Sequence, residues 1–327
     1  MRISFQELKQ EFKRILLKLS FPEETADSCA TIFAENSRDG VYSHGLNRFP
    51  VFVKYAKKGF IKPDALPSLL EAYGVMERWD GNFAPGMSNA AHCMKRAVEL
   101  AKVNGMGCVA LKNTNHWMRG GTYGWQAAEA GCIGICFTNA TVSMPAWGGK
   151  DPVLGNNPLV IAIPRKEGHV VLDMAMSQFS YGKMQEYELK NEVLPFPGGY
   201  NEAGEMINDP VEIRKTRRAL PIGLWKGSGL ALVLDLLVVA LSGGNSTGKI
   251  SEHADETGVS QCFIAIHRPD MHDALIEEVI AYTKNGGTVK PGEQVSYPGE
   301  RTLQTRRENE EKGIPVNEEM WMKVKGM

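Results

Sequence analysis

Residues 89–138 read NAAHCMKRAVELAKVNGMGCVALKNTNHWMRGGTYGWQAAEAGCIGICFT, and this segment decides the fold class. The predicted elements are, in order, helix Asn89–Asn104, strand Met106–Lys112, helix Tyr123–Ala130 and strand Cys132–Thr138. Gly105 is a typical helix stop, and the loop around His116 separates the first strand from the second helix. Helices and apolar strands that alternate in this way indicate a mixed α/β chain.

The same alternation extends in both directions along the chain. Further helices are predicted at Phe5–Leu19, from Pro22 to Arg38, at Ser43–Lys58, at Ser228–Leu241, at Asp270–Lys284 and from Asn317 onward. Further strands are predicted at Pro158–Ile163, Val170–Met174 and Val259–His267, with one long loop over residues 195–216. We therefore expect three regions. An N-terminal helical segment (1–75) packs with the C-terminal part, a central α/β region (76–250) binds the cofactor, and residues 251–327 complete the fold.

Composition excludes several classes of protein. The 327 residues include 37 Lys and Arg against 38 Asp and Glu, and this balance argues against a nucleic-acid-binding surface. The longest apolar run, Gly229–Leu241, is too short to span a bilayer and contains Asp235, so it predicts a buried core helix and no membrane partner. The first residues lack the apolar stretch of a signal peptide, which leads us to expect a cytoplasmic protein.

The six cysteines include no C-x-x-C pair, the spacing that zinc sites and thioredoxin-like redox sites use. Small buried thiols are the expected role for all six cysteines.

His44 and Arg48 are the first candidates for chemistry. Ser43 is a good N-cap residue, and on a helix that begins there His44 and Arg48 would project from one face. An imidazole transfers protons near neutral pH, and a guanidinium grips a carboxylate through two parallel hydrogen bonds. This pattern suits a site for a small carboxylic acid, although a solvated surface pair has the same spacing.

His116 is the third candidate, within the polar loop Asn113–Gly121 that follows a buried strand. Loops after buried strands carry the chemistry of many α/β enzymes. The alternative is a structural histidine whose hydrogen bonds are satisfied by the fold.

The sequence contains no G-x-G-x-x-G fingerprint, no P-loop and no H-E-x-x-H motif. The segment Trp225–Gly229 opens a helix, where free N–H groups and the Lys226 charge would favour a phosphate, or where glycine serves only as a cap. Asp173 ends an apolar run and would be costly there without partners.

Taken together, several stretches resemble the malate/L-lactate dehydrogenase family, the non-Rossmann one that also holds L-sulfolactate and ureidoglycolate dehydrogenases. The stretches are Ser43–Gly45 with Arg48, Asn115–Trp117, Gly155–Pro158, Asp173–Ala175, Trp225–Gly229 and Pro298–Glu300. The resemblance runs along almost the whole chain. It implies a mixed-sheet, non-Rossmann NAD(P)-binding fold with an N-terminal helical segment, a homodimer, and NADH as cofactor with NADPH as the alternative.

The resemblance also implies roles for individual residues. His44 would be the proton donor. In the mechanism that this suggests, Arg48 would hold the substrate carboxylate and His116 would polarise or orient the substrate, and no metal is required because the histidine acts as the acid. Cofactor contacts carry over to His169, Val170, Val171, Leu172, Asp173, Met174, Ala175, Trp225, Lys226, Gly299, Glu300 and Arg301.

The function expected is therefore the reduction of a small 2-oxo acid by a nicotinamide cofactor. The alternative within the family is a dehydrogenase of the malate, lactate, sulfolactate or ureidoglycolate type. The alternative from another class is a metal-dependent hydrolase or lyase that uses His44, His116 and Asp173 as metal ligands.

Overall fold

The computed structural model describes residues 1–253 and 255–327. The helices are α1 (Phe5–Lys18), α2 (Glu23–Arg38), α3 (Phe49–Lys57), α4 (Gly86–Asn104), α5 (Gly121–Glu129), α6 (Tyr181–Leu189), α7 (Pro210–Thr216), α8 (Trp225–Ser242), α9 (Thr247–Ile250), α10 (Asp273–Lys284), α11 (Glu300–Lys312) and α12 (Glu318–Lys325). The strands are β1 (Arg2–Ile3), β2 (Ser68–Tyr73), β3 (Met76–Asp80), β4 (Met106–Thr114), β5 (Cys132–Thr138), β6 (Val142–Pro145), β7 (Pro152–Gly155), β8 (Leu159–Ile163), β9 (Val170–Met174), β10 (Gly199–Tyr200), β11 (Met206–Ile207), β12 (Val259–His267) and β13 (Ile314–Pro315).

A seven-stranded mixed sheet in the order β2-β3-β4-β12-β5-β8-β9 forms the centre of the molecule. Only β3 and β4 run parallel, and every other neighbouring pair in this sheet is antiparallel. A Rossmann unit needs consecutive parallel strands joined by helices. The predicted mixed-sheet, non-Rossmann fold is therefore confirmed.

Both faces of this sheet are covered by helices. Side chains alternate along β12, so Phe263 packs with the helices α4 and α5 while Cys262 packs on the opposite face with α8. Burial on both faces explains why β4, β5 and β12 are almost continuously apolar and were predictable as strands. All six cysteines are buried and free, as predicted.

A separate core lies under the N-terminal helices. Phe12, Phe33 and Phe49 pack ring against ring, and Phe33 also contacts Phe52. Trp321 of α12 belongs to the same cluster, and β1 pairs with β13. The two ends of the chain are thus in contact, and helices α1 to α3 form the predicted N-terminal helical segment.

The predicted helix Ser43–Lys58 is wrong at its beginning. Residues Tyr42–His44 form a single 3₁₀ turn, and the α-helix starts only at Phe49. Gly45 leaves the helical conformation where the chain packs closely against α2, since a Cβ there would lie 2.1 Å from the Ser37 hydroxyl oxygen. Ser43 is therefore no helix cap, and its hydroxyl bonds to the His44 ring instead.

Helix α8 is not the buried core helix that its composition predicts. Ala231, Leu234 and Val238 are buried, but the other side leaves Leu232 48% and Leu236 61% exposed. By length and composition alone α8 could cross a bilayer, a test that core helices also pass. In this fold one of its faces packs on the central sheet.

The predicted loop 195–216 also contains regular structure. Strands β10 and β11 pair within it, and helix α7 follows with Pro210 in its first turn. Asp209 caps α7 by accepting hydrogen bonds from the N–H groups of Val211 and Glu212. The cap and the proline are helix signals that the polar composition of the segment obscured.

Candidate active site

His44 and His116 lie between two adjoining cavities. The first, of about 210 Å³, reaches to Arg119, Asp173 and Ala175. The second, of about 380 Å³, reaches to Arg48, Arg214 and Arg217 and is called the arginine end below. Both cavities share Ser43, His44, His116, Asn156, Ser180 and Glu256 in their walls. The fold thus brings the three predicted catalytic residues to one place.

One nitrogen of the His44 ring is hydrogen-bonded to a hydroxyl that can either donate or accept. Its Nδ1 lies 3.0 Å from the Ser43 hydroxyl oxygen, and its backbone carbonyl accepts a hydrogen bond from Asn36. A hydroxyl both donates and accepts, so Ser43 can bond to Nδ1 in either tautomer. His44 can therefore gain or lose a proton at Nε2 without breaking that bond.

The His116 ring stacks on His44 with the ring centres 5.7 Å apart, but its hydrogen bonds restrict it. Its Nδ1 accepts the backbone N–H of Met118 at 2.9 Å. Because that donor cannot reverse, the neutral ring carries its proton on Nε2, which lies 3.9 Å from a Glu256 carboxylate oxygen. His116 is thus a fixed donor, whereas His44 is free to transfer a proton.

Burial lowers the pKa of both histidines to about 3. For His44 the neighbouring His116 and Arg48 lower the pKa further, and Arg48 does the same for His116. Both rings are therefore neutral at pH 7 in the free protein. A carboxylate bound beside Arg48 would cancel that positive field and favour the imidazolium form of His44.

Arg48 reaches the site from the residue that precedes α3, not from a shared helix face as predicted. Within residues 1–253 and 255–327 no carboxylate lies within 4.0 Å of its guanidinium. A half-buried, uncompensated guanidinium at the edge of a cavity is suited to an incoming anion.

Asp173 has a hydrogen-bond donor and a nearby cation, which a carboxylate in an apolar strand needs in order to be stable. Its carboxylate accepts the Gly121 N–H at 2.8 Å and lies 4.0 Å from Arg119 Nε. Burial raises the pKa of Asp173, while Arg119 and the N–H bond oppose that rise. Arg119 in turn binds Asp39, at 2.7 Å, five residues before His44.

The other predicted cofactor residues lie along β9 and its surroundings. The Val171 N–H donates to Pro298 O at 2.9 Å, so Gly299, Glu300 and Arg301 begin α11 beside His169 and Val170. Leu172, Asp173 and Met174 belong to β9. Asp173 and Ala175, which follows the strand, line the first cavity.

Trp225 and Lys226 lie outside both cavities, at the start of α8. The segment before α8 is hydrogen-bonded to the segment after β9, because the Ile222 N–H donates to Met176 O at 2.9 Å. The end of β9 and the start of α8 are thus close.

The groups along β9 fit a dinucleotide. The buried indole N–H of Trp125 has no hydrogen-bond partner in the described residues, and its ring lies 5.6 Å from that of His169. Gly299 has a φ of +97° and approaches the Val171 backbone so closely that a Cβ would lie 3.0 Å from its nitrogen. An unpaired N–H beside close-packed backbone is the kind of surface that binds a polar ligand.

Sequence reasoning missed Glu256, Ser143, Arg214 and Arg217 as parts of the site. They come from loops, from the short strand β6 and from the segment predicted as one loop. Arg119 stood within the quoted His116 stretch, but nothing in the sequence showed that its side chain is buried between Asp39 and Asp173.

Comparisons with known proteins show the family to which the chain belongs. Residues 3–325 match the malate/L-lactate dehydrogenase family. The chain is 43% identical, over the full length of both proteins, to 2,3-diketo-L-gulonate reductases of Citrobacter koseri and Mannheimia succiniciproducens.

Solved structures show the same fold. The malate dehydrogenase of Entamoeba histolytica superposes with a TM-score of 0.94 at 26% identity, covering 100% of this chain and 96% of that one. The sulfolactate dehydrogenase of Methanocaldococcus jannaschii gives 0.89 at 27% identity, covering 99% and 95%. The chain therefore belongs to the malate/L-lactate dehydrogenase family, oxidoreductases that act on 2-hydroxy and 2-oxo acids with a nicotinamide cofactor.

Proposed function

We propose that this protein is an NADH-dependent reductase that converts a 2-oxo acid to the 2-hydroxy acid, with 2,3-diketo-L-gulonate as its substrate. The observation that carries the proposal is the placement of a proton-transferring histidine, His44, and an unpaired guanidinium, Arg48, in the walls of one cavity. The 43% identity to two 2,3-diketo-L-gulonate reductases over the full length supports this substrate.

Each side chain has a separate task in this proposal. Arg48 binds the substrate carboxylate through a bidentate pair and so fixes the position of the neighbouring carbonyl. The Nε2–H of His116 donates a hydrogen bond to the carbonyl oxygen and polarises it. His44 delivers the proton that this oxygen takes up, and Ser43 keeps the imidazole oriented during the transfer.

The nicotinamide cofactor supplies the hydride that reaches the carbonyl carbon when it is bound. The residues that would hold it are His169 to Ala175 along β9, Trp225 and Lys226 at the start of α8, and Gly299 to Arg301 at the start of α11. Asp173 would contact it near His44, because both residues line the first cavity.

NADH is proposed over NADPH because of the charges near Trp125. Glu35 and Glu129 line the groove beside this residue, while Arg306 and Arg38 in the same groove are bound by Asp39. Carboxylates accept hydrogen bonds from a ribose diol and repel the additional phosphate of NADPH.

We further propose a homodimer that functions in the cytoplasm. The outward face of α8 exposes Leu232, Val233, Leu236 and Leu237, a contiguous set of large apolar side chains. A second copy of the chain can cover this face with the same face, as the two-fold symmetry of most homodimers requires.

A dehydrogenase of the malate, lactate, sulfolactate or ureidoglycolate type is the second candidate. The high structural similarity to the malate and sulfolactate dehydrogenases favours it, since these proteins share the whole fold. The metal-dependent hydrolase or lyase is set aside, because the family consists of oxidoreductases.

The test is a substrate panel followed by absorbance of the reduced nicotinamide. NADH or NADPH is mixed with 2,3-diketo-L-gulonate, oxaloacetate, pyruvate and sulfopyruvate, each with and without chelator. We expect the highest kcat/KM for 2,3-diketo-L-gulonate with NADH, unchanged by chelator. Preference for oxaloacetate or pyruvate would favour the second candidate, and no oxidation of either cofactor would contradict the proposed function.

A further inference from the structure

The arginine end has more hydrogen-bonding groups than one carboxylate and one carbonyl can use. Beyond Arg48 its walls contain Ser143, Gln185, Arg214 and Arg217. A pyruvate-sized substrate held by Arg48 and His116 would leave these side chains without a ligand.

In the described wall of the arginine end, Ser143 is the buried polar side chain that the fold leaves without a hydrogen-bond partner. It lies on β6, is 8% exposed, and its hydroxyl has no hydrogen-bond partner in residues 1–253 and 255–327. Its carbonyl oxygen, by contrast, accepts the Ala219 N–H at 3.0 Å and the Tyr181 hydroxyl at 3.1 Å. The backbone of Ser143 is thus held in place, while its side chain is free to turn about one bond towards the cavity.

The charged side chains of the arginine end favour a neutral group as the ligand of Ser143 over a second carboxylate. Arg214 forms an ion pair with Glu188 and is already compensated. Arg217 is exposed, and a pair formed there with a second substrate carboxylate would be weakened by solvent. The buried unpaired group is a hydroxyl, which both donates and accepts and so matches a hydroxyl of a substrate.

We propose that Ser143 binds a hydroxyl group on the carbon chain of the substrate, beyond the reacting carbonyl. The site thereby selects hydroxylated 2-oxo acids of the sugar-acid class over short, unsubstituted ones. A site that hydrogen-bonds a substrate hydroxyl rejects analogues without it strongly, because its own polar group then stays unpaired. The inference rests on the proposed 2-oxo acid reductase function and adds the residue that sets the substrate class.

The test compares Ser143→Ala with Ser242→Ala. Ser242 is also buried, but its hydroxyl donates to Val238 O at 2.6 Å and lies outside both cavities. The measured quantity is the ratio of kcat/KM for 2,3-diketo-L-gulonate to kcat/KM for pyruvate. We expect Ser143→Ala to lower this ratio at least tenfold and Ser242→Ala to leave it within twofold.

Thermal unfolding gives a second readout that does not depend on turnover. Ser143→Ala removes an unpaired hydroxyl and should leave Tm unchanged or higher, whereas Ser242→Ala removes a bonded one and should lower Tm. An unchanged ratio for Ser143→Ala, or equal losses for both substrates together with a lower Tm, would overturn the inference.

The wild-type protein separates this inference from the proposed function. Reduction of pyruvate without reduction of 2,3-diketo-L-gulonate would contradict the role of Ser143 while leaving a 2-oxo acid reductase. Failure to reduce any 2-oxo acid would contradict the proposed function itself.

Discussion

Two stacked histidines line the same two cavities, yet their hydrogen-bond partners give them different chemistry. The backbone N–H of Met118 can only donate, so it fixes the tautomer of His116, whereas the Ser43 hydroxyl tolerates both states of His44. Both rings are neutral in the free protein because burial lowers their pKa values. This difference in hydrogen bonding is the reason for proposing His44 as the proton donor and His116 as a fixed hydrogen-bond donor.

The lowered pKa of His44 predicts a pH dependence for the reduction. Above its pKa of about 3, the protonated fraction of His44 in the free protein falls roughly tenfold per pH unit. We therefore expect kcat/KM for the 2-oxo acid to fall steadily between pH 5 and 8, while oxidation of the hydroxy acid, which needs neutral His44, stays flat. Initial rates in both directions would check this, and the opposite pair of profiles would count against the assignment.

Substitution of Arg48 by lysine should weaken substrate binding far more than cofactor binding. Lysine keeps the positive charge but loses the two-pronged geometry, so KM for the 2-oxo acid should rise about tenfold or more. The matched control is Lys58→Arg, at an exposed cation that pairs with Asp255. An unchanged KM in Arg48→Lys would mean that the carboxylate is bound elsewhere.

Among the secondary-structure elements, one buried ion cluster connects the N-terminal helices to strand β9. Asp39, directly after α2, binds Arg119 at 2.7 Å and Arg306 of α11 at 2.8 Å. Arg119 lies beside Asp173 of β9. The pKa of Asp39 is lowered, because its arginine partners outweigh the effect of burial. The cluster therefore holds the His44 turn in a fixed position relative to β9.

Asp39→Asn should destabilise the fold by about 3 kcal/mol, because it leaves buried guanidinium groups without their counter-charge. Asp27→Asn is the control, since Asp27 pairs with Lys9 and Lys13 while 41% exposed, and such pairs contribute about 1 kcal/mol or less. Urea unfolding measures both free energies. Equal losses in the two variants would remove the special role of the Asp39 cluster.

The elements that could be predicted from sequence are those with a strong apolar period. Strands β5, β9 and β12 begin and end where predicted, and α1 and α4 differ from the prediction by no more than three residues at either end. Helix α11 was missed because it is charged on nearly every side, with Asn309 as its single buried residue among those described. Strands β2 and β3 were also missed, since β2 is exposed along its whole length.

The candidate site was only partly predictable, because the orientation of its side chains depends on tertiary packing. His44, Arg48 and His116 could be named, but the 3₁₀ turn and the Gly45 contact that orient them depend on packing against α2. Glu256 and Ser143 joined the site through tertiary contacts between distant segments. Local sequence patterns do not predict contacts between segments that are distant in the chain.

At the scale of the whole molecule, the exposed face of α8 is the feature that a single chain does not explain. Leu236→Glu should convert a dimer to monomers, because it places a charge in an apolar interface. Val103→Glu, at an 83% exposed position near the end of α4, is the matched control and should leave the molar mass unchanged. Light scattering coupled to size exclusion measures both, and a monomeric wild-type protein would refute the dimer.

In the proposed reaction, His44 transfers the proton in a cavity that the cofactor completes when it is bound along β9. The most direct test of this role is the turnover number and the NADH affinity of His44→Ala, measured by steady-state rates and by fluorescence titration. We expect kcat to fall by about a hundredfold or more while the NADH Kd stays within twofold, because a general acid typically contributes about 10²–10⁴ in rate. A kcat within tenfold of the wild-type value, at unchanged stability, would contradict this role of His44.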